Sequence, residues 1–467
     1  MSGLFGSLNQ SVSALAAHSR GIETAGRNLS NVNNPNYARQ RVVFGDRGMV
    51  QTPLGAMSFG IEAKSIQQIR DTLMDSQVVR EVGLTASARA SYDAFAKAQA
   101  ALGETIDRSA ETDGSTISQG LDVAISDFFN SFQSLAAQPT DLGTRQTLLQ
   151  RSSILAERFR LTDQRLAQVQ ADLNSEVTAD VEEINSLLET IAELNAQIGR
   201  FEVKVPGSAV DLRDQRQAKL EELAERIQIE TAPSAGSPGQ LDVFVRDTNG
   251  DPVTLVSLAT ANTVTFDGDN LFSGGVQIAL AGGSTHGALA ARDGGLQDLR
   301  DRLDALARQM VISVNEAYNP LGTTGDFFNA TGTSAGTIAL EPGLTALGIK
   351  ASDGGAAADT TIASAVAALA NKTFSVSGGD EIDGTFAQYY SGVVSDFGQN
   401  VTGSQSRFED QTTIQTLIRR QRDSVSGVSL DEEMADLLKF QRAFQASSRV
   451  FSVVNELLDT VVNRLGV

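Results

Sequence analysis

His18 and His286 are the only two histidines in the chain, and it contains no cysteine. Zinc centres need several imidazole or thiolate ligands at short spacing, so two distant imidazoles supply no metal site. The lack of thiols also removes disulfides and cysteine nucleophiles. His18 falls in a stretch of helical periodicity. His286 falls in the run Gly282-Gly283-Ser284-Thr285-His286-Gly287, which reads as a turn. Grouped carboxylates, as at Glu182/Glu183 and Asp431/Glu432/Glu433, are the residue type that general acid–base chemistry uses. Here they sit on expected exposed helix faces or first turns, where solvation and helix capping account for them. There is no Gly-x-Ser-x-Gly and no Walker A sequence. No catalytic, cofactor-binding or metal-binding residue is therefore assigned, no cofactor is expected, and the chain reads as a non-enzyme.

Without a reactive centre, the function must lie in binding or assembly. The chain has 467 residues, 37 basic and 57 acidic, for a net charge of -20. That charge repels phosphate backbones and anionic lipid, so neither nucleic acid nor membrane is expected as a partner. No run approaches the ~18 apolar residues that would span a bilayer. Residues 1–19 lack a basic leader and a continuous apolar core, so export would proceed without a cleaved signal peptide. Charge is unevenly spread: residues 172–230 hold 14 acidic and 6 basic residues, whereas residues 1–45 hold four Arg and one Glu. The weakly charged ends read as surfaces meant to be covered.

The elements that would do the covering are the two termini. Leu430, Leu437, Phe444, Phe451, Leu458 and Leu465 recur every seven residues, with Met434, Gln441, Ser448, Asn455 and Val462 at the complementary positions. This is a heptad seam over 430–465. Ser429 and Glu432 fit a capping box at its start. Leu8, Leu15, Ile22 and Leu29 repeat the spacing at the other end, with Val12, Ser19 and Gly26 between, up to an Asn/Pro turn at 31–36. Either stripe also suits a helix packed on its own domain core. Two stripes at opposite termini favour pairing with each other.

Between them the chain is mostly helical: no proline occurs over 63–109, and helices are expected at 121–137, 145–173, 177–201, 210–229 and around 296–310. A Pro/Gly/Ser joint at 233–239 precedes alternating strands at 241–245, 253–258, 263–266 and 276–280, with Asn249-Gly250 as a hairpin turn. Residues 322–384 are rich in Gly, Ala, Thr and Ser, with one Ala-rich helix near 361–370. The expected fold is mainly α: long helices in a bundle with paired terminal coiled-coil helices, plus a small β-rich insert. The expected division is an N-terminal coiled-coil segment (1–60), a helical body (61–238), a β insert (239–291), a second helical part with Gly/Ala-rich loops (292–410) and a C-terminal coiled-coil segment (411–467).

The terminal segments carry a resemblance. Asn28-Leu29-Ser30-Asn31-Val32-Asn33-Asn34-Pro35-Asn36-Tyr37-Ala38-Arg39-Gln40 resembles the signature of flagellar rod, hook and hook-associated proteins. Its Tyr37-Ala38-Arg39-Gln40 ending and the block from Ser426 through Leu438-Lys439-Phe440-Gln441-Arg442-Ala443-Phe444 are most similar to the hook-associated protein 1 family, found at the hook–filament junction. Residues 191–198 and 211–216 look like internal helices of the same family. Asn36 stands where the pattern would have Gly, and Asn tolerates the left-handed conformation such a turn requires.

The resemblance implies a structural subunit of the extracellular flagellum, exported by the flagellar type III route and assembled with copies of itself in a helical layer. It implies the hook protein, the next hook-associated junction protein and the filament as partners. With the uncovered seam, it also implies an export chaperone at the C-terminal helix. The expected assembly interface comprises Leu8, Val12, Leu15, Ile22, Leu29, Tyr37, Arg39 and Gln40 at one end. At the other it comprises Leu430, Met434, Leu437, Phe444, Phe451, Leu458, Val462 and Leu465. The rival readings are another axial subunit such as a hook or distal-rod protein, a non-flagellar coiled-coil oligomer, and a secreted carboxylate hydrolase.

Overall fold

The computed structural model describes residues 2–52, 55–103, 120–322, 325–352, 354 and 359–461. These fall into two compact units, one of Met1–Ala86, Asp180–Gly283 and Gln411–Val467, the other of Ser87–Ala179 and Ser284–Asp410. The architecture is mainly α with small antiparallel sheets.

The first unit holds both termini, α1 (Ser2–Ser30) and α10 (Leu430–Asp459). The chain leaves α1 through the Asn-rich turn into β1 (Gln40–Asp46), which pairs antiparallel with β4 (Ile61–Gln68). Between them lies a second hairpin, β2 (Met49–Thr52) and β3 (Gly55–Ser58). Residues 63–68 are thus strand, where the absence of proline suggested helix. Ile66 faces Val42 across the ladder, and helix begins only at α2 (Thr72–Leu102). Asp71 sets that start, its carboxylate accepting from the backbone N–H of Leu73 at 2.9 Å and of Met74 at 3.3 Å.

The same unit takes the end of α4 (Leu142–Glu202), α5 (Val210–Arg226) and the β region. β5 (Glu230–Pro233), β6 (Leu241–Arg246), β7 (Pro252–Ser257) and β8 (Thr260–Ala261) form one meander, in that order. β9 (Val264–Phe266), β10 (Leu271–Ser273) and β11 (Val276–Gln277) form a second. The sheet recruits β5 from ahead of the Pro/Gly/Ser joint, which becomes the β5–β6 loop. Gly250, at φ +89°, makes the Asn249-Gly250 hairpin turn. Ile184, Ile191 and Ile198 of α4, with Leu223 of α5 and Val243 and Val256 of the sheet, are buried in this unit.

The second unit packs α3 (Leu121–Ala137), the first part of α4, α6 (Ser284–Ala291), α7 (Gln297–Tyr318), α8 (Thr361–Ala368) and the start of α9 (Phe386–Ser426). A π-turn at Arg292–Leu296 joins α6 to α7. Its core is aromatic: Phe128 stacks edge-on against Phe132 and Phe327 with ring centres 5.2 and 5.9 Å away. Two helices expected at 145–173 and 177–201 are one, α4. Leu173 and Val177 continue its buried stripe while Ser175 and Glu176 stay exposed, so the polar stretch between them does not break it. The turn expected at 282–287 ends at Gly283, and His286 lies in α6. The 41-residue α9 was not expected from the sequence, although Phe386, Tyr390, Val393 and Phe397 form a buried stripe at its start.

Candidate functional site

α1 and α10 run antiparallel and pack together: Asn28 meets Glu433, and Gly21 meets Phe440. Their register places a Cβ added at Gly21 2.7 Å from the Phe440 ring, so the glycine admits the close approach. Phe440 also lies 5.8 Å from the ring of Phe44 on β1, and Phe44 lies 6.4 Å from His18. His18 is half-buried, and burial lowers its pKa below the ordinary value.

The packed faces differ from the heptads read in the sequence. On α1 the buried positions are small or polar: Ser11, Ser13, Ala17, Gly21, Thr24, Ala25 and Asn28. The expected stripe flanks them, with Leu8, Leu15, Ile22 and Leu29 half-buried and Val12 exposed at 47%. On α10, Leu437 and Phe451 are half-buried and Leu458 is buried. The complementary line is one residue earlier than expected, through Glu433, Phe440 and Val454 rather than Met434, Gln441 and Asn455, while Ser447 and Ser448 are both half-buried. Leu430, Met434 and Phe444 remain exposed at 53%, 42% and 37%. Val462 and Leu465 lie outside the described residues. Val12, Leu430, Met434 and Phe444 are thus the large apolar positions of the two stripes left uncovered by the helix pair.

At the start of α10, Ser429 sits at the cap position with extended backbone but makes no side-chain cap. The capping box does not form because Glu432 is turned to Arg39 instead. Arg39 also donates from Nε to Glu433 Oε1 at 2.6 Å, and its backbone N–H donates to Ser426 O at 2.9 Å. Ile69 N–H in turn donates to Arg39 O at 2.8 Å, which ties the segment to the end of β4.

Asn28 is the centre of this cluster. It is 1% exposed, and its amide uses all four hydrogen-bonding positions. Nδ2 donates to Gln40 O at 2.8 Å and to Glu433 Oε2 at 2.9 Å. Oδ1 accepts from the Tyr37 hydroxyl at 2.8 Å and from Gln40 N–H at 3.0 Å. One side chain therefore joins α1, β1 and α10. Burial, then the carboxylates of Asp214 and Asp211, drive the Tyr37 hydroxyl pKa well up, which keeps it a donor. Ala38 N–H donates to Asp214 Oδ1 at 3.3 Å and Gln40 Nε2 to Asp211 Oδ1 at 3.1 Å, fixing the segment on α5. Arg70 completes the cluster, at 2.9 Å from Asp75 and 2.6 Å from Asp214. Asn36 has no left-handed backbone; its N–H donates to Asn34 Oδ1 at 3.1 Å, and that Asx turn makes the bend.

Tyr37, Arg39 and Gln40 are thus brought together with Asn28 and Glu433, while Val12, Leu430, Met434 and Phe444 of the two stripes stay exposed. From the sequence, Asn28 and Asp214 belong to family-like stretches and Glu433 to a first-turn carboxylate group, and none of the three is given a role at the junction of the two ends. A polar residue at a packed helix position, 12 residues from its strand partner, was the available signal. Elsewhere, Ser87 Oγ lies 2.8 Å from His286 Nδ1, with Ser87 buried and the imidazole pKa lowered by burial. Among the described residues no group of His, Cys, Asp and Glu could hold a metal ion, and no helix is long and apolar enough to cross a membrane.

The family model described as flagellar hook-associated protein FlgK helical domain matches residues 111–328. That described as flagellar basal body rod FlgEFG protein C-terminal matches 420–465. Flagellar hook-associated protein 1 of Bacillus subtilis (strain 168) is 26% identical across 100% of this chain and 99% of its own length. The protein of the same name from Escherichia coli (strain K12) is 23% identical across 98% and 99%. The solved flagellar hook junction protein FlgK from Burkholderia pseudomallei aligns with a TM-score of 0.46 and 24% identity, over 54% of this chain and 46% of that one. Over its full length the chain is thus similar to flagellar hook-associated protein 1 of both organisms.

Proposed function

We propose that this chain is a structural subunit of the bacterial flagellum that forms the layer joining hook to filament, with α1 and α10 as its assembly interface. The carrying observation is that Val12, Leu430, Met434 and Phe444 are left exposed although the helix pair already packs Gly21 against Phe440 and Asn28 against Glu433. A subunit repeating by rotation and rise needs heterologous contacts, and an apolar band on both helices supplies surface for neighbours. Leu8, Leu15, Ile22, Leu29, Leu437, Phe451 and Leu458 border that band and would be covered further on assembly. The role is architectural, with no catalytic step. Copies of the chain, the hook protein, the next junction protein and the filament are the partners, and an export chaperone shields the α10 band before the extracellular layer forms.

Because Leu430 and Phe444 are exposed, the double variant L430E/F444E should fold with unchanged circular dichroism. Cells carrying it should keep hooks but release filament subunits into the medium. Intact filaments and normal swimming would refute the assignment of this band, and loss of the hooks themselves would point to a hook or distal-rod role.

A further inference from the structure

The first unit contains a cleft of about 1000 Å³ between the start of α2, α5 and the β5–β6 loop. That volume is at the upper end for a small-molecule site. Its charged lining is lopsided: Arg70, Arg213 and Arg216 face it, against the single carboxylate of Asp75. Gln217, Gln240, Ser234 and Ser237 add hydrogen-bonding groups. No residue of α1 or α10 lines it.

Arg216 is the unusual member. It is 5% exposed, yet it forms no ion pair among the described residues. Nη1 donates to Asn195 Oδ1 at 2.7 Å and to Gly239 O at 2.8 Å, both neutral acceptors. Nε and Nη2 have no hydrogen bond among the described residues. Its neighbours do not supply the missing charge. Arg213 is committed to Glu202 by two bonds, at 2.7 and 2.6 Å, and Arg70 is held by Asp75 and Asp214. Arg70 Nε is buried without a partner. Burial, then the Arg213 charge, bring the Arg216 pKa down to about 10, and the nearby Glu202 carboxylate offsets them only in part. A buried charge is stable when paired, and a guanidinium with two free N–H groups matches a carboxylate in a planar two-point contact.

We infer that this cleft is a binding site for a carboxylate group, received by the free edge of Arg216 with Ser237 and Gln217 beside it. The carboxylate has two possible sources, a free dicarboxylate or an acidic side chain of a second copy. On a chain of net charge -20, the second source is present on every copy.

Succinate is the probe, titrated by calorimetry into the full chain with sodium chloride adjusted to hold ionic strength constant. Saturable uptake at one per chain is expected, weakened at least about tenfold in R216Q, as expected for losing a charge-assisted pair. Because Arg216 also supports Asn195 and Gly239, a second variant guards against misfolding. The Ser237 side chain makes no hydrogen bond among the described residues, so S237D removes none and should block uptake by placing a carboxylate in the cleft. If a second copy is the source, the wild-type chain, but not R216Q or S237D, will self-associate in sedimentation, and succinate will dissociate it. If a free anion is the source, succinate will bind a chain whose sedimentation does not change with concentration. Absence of both saturable uptake and succinate-sensitive association would overturn the assignment. So would uptake of equal strength in both variants.

Discussion

Replacing Asn28 tests whether one buried amide holds the two ends of the chain together. In N28A, the N–H and C=O of Gln40 lose partners at 3.0 and 2.8 Å, and Gln40 is 2% exposed, so water does not replace them. Each such group costs about 1–3 kcal/mol, which sets a loss near 4 kcal/mol. The half-buried Tyr37 hydroxyl recovers much of its bond from solvent, and Glu433 keeps Arg39 at 2.6 Å. N28D is the sharper variant because it preserves the shape. It replaces an N–H donor with a carboxylate oxygen where the Glu433 contact is 2.9 Å. At an effective dielectric of ~20 that repulsion is about 6 kcal/mol. Taking up a proton at pH 7, against an ordinary Asp pKa near 3.9, costs only about 4 kcal/mol. Protonation is the cheaper escape, so the folded pKa of the new Asp must be raised.

The sign then follows. A raised folded pKa means that the native state binds a proton the unfolded chain has released, so N28D loses stability as pH rises from about 4 to 7, by up to about 1.4 kcal/mol per unit. N28A, with nothing to titrate, should show no such slope beyond that of the wild type. Amide hydrogen exchange of residues 39–43 and 430–438, compared between pH 5 and 7 after correction for intrinsic rates, reads both quantities. A pH-independent difference between N28D and N28A would refute the reasoning, as would a loss below about 1 kcal/mol in N28A, the minimum for one stranded group.

Two further outcomes are expected from the same unit. G21A places a methyl 2.7 Å from the Phe440 ring, and over-packing of this kind costs about 1–3 kcal/mol, less the ~1 kcal/mol gained from replacing a helical glycine. Exchange protection in α1 should fall in G21A and recover in G21A/F440L; a rise in G21A would show that the helices are not in close contact there. Burial pushes the Asp214 carboxyl up to about 6 even with Arg70 at 2.6 Å. Its stabilising contribution is therefore complete below about pH 4 and lost as pH rises through about 6. The wild-type minus D214N stability difference, followed by urea unfolding across that window, should shrink with rising pH, and a difference that grows would contradict the assignment.

Much of the helical framework was legible in the sequence because its signals are local. The boundaries of α3 and the paired Leu437, Phe451 and Leu458 come from apolar spacing that survives in the fold. Residues 40–68 were not legible, since β1 and β4 find each other across a second hairpin and proline-free sequence is not evidence of helix. The capping box failed for a similar reason. Glu432 has a local partner on offer, but Arg39, 393 positions away, is a charged donor and takes it.

The misread face of α1 has a more general cause. Counting large apolar residues finds Leu8, Val12, Leu15, Ile22 and Leu29, yet close packing against α10 selects Ala17, Gly21, Ala25 and Asn28, which such a count ignores. Small residues let two helix backbones approach until a ring such as Phe440 fills the space above a glycine, and one amide then fixes the register. Val12, Leu430, Met434 and Phe444 stay exposed beside that contact. On the proposed reading, their heptad spacing records the neighbour each subunit has yet to meet, so a seam strong in sequence and half-exposed in a single chain is what an assembling subunit should show.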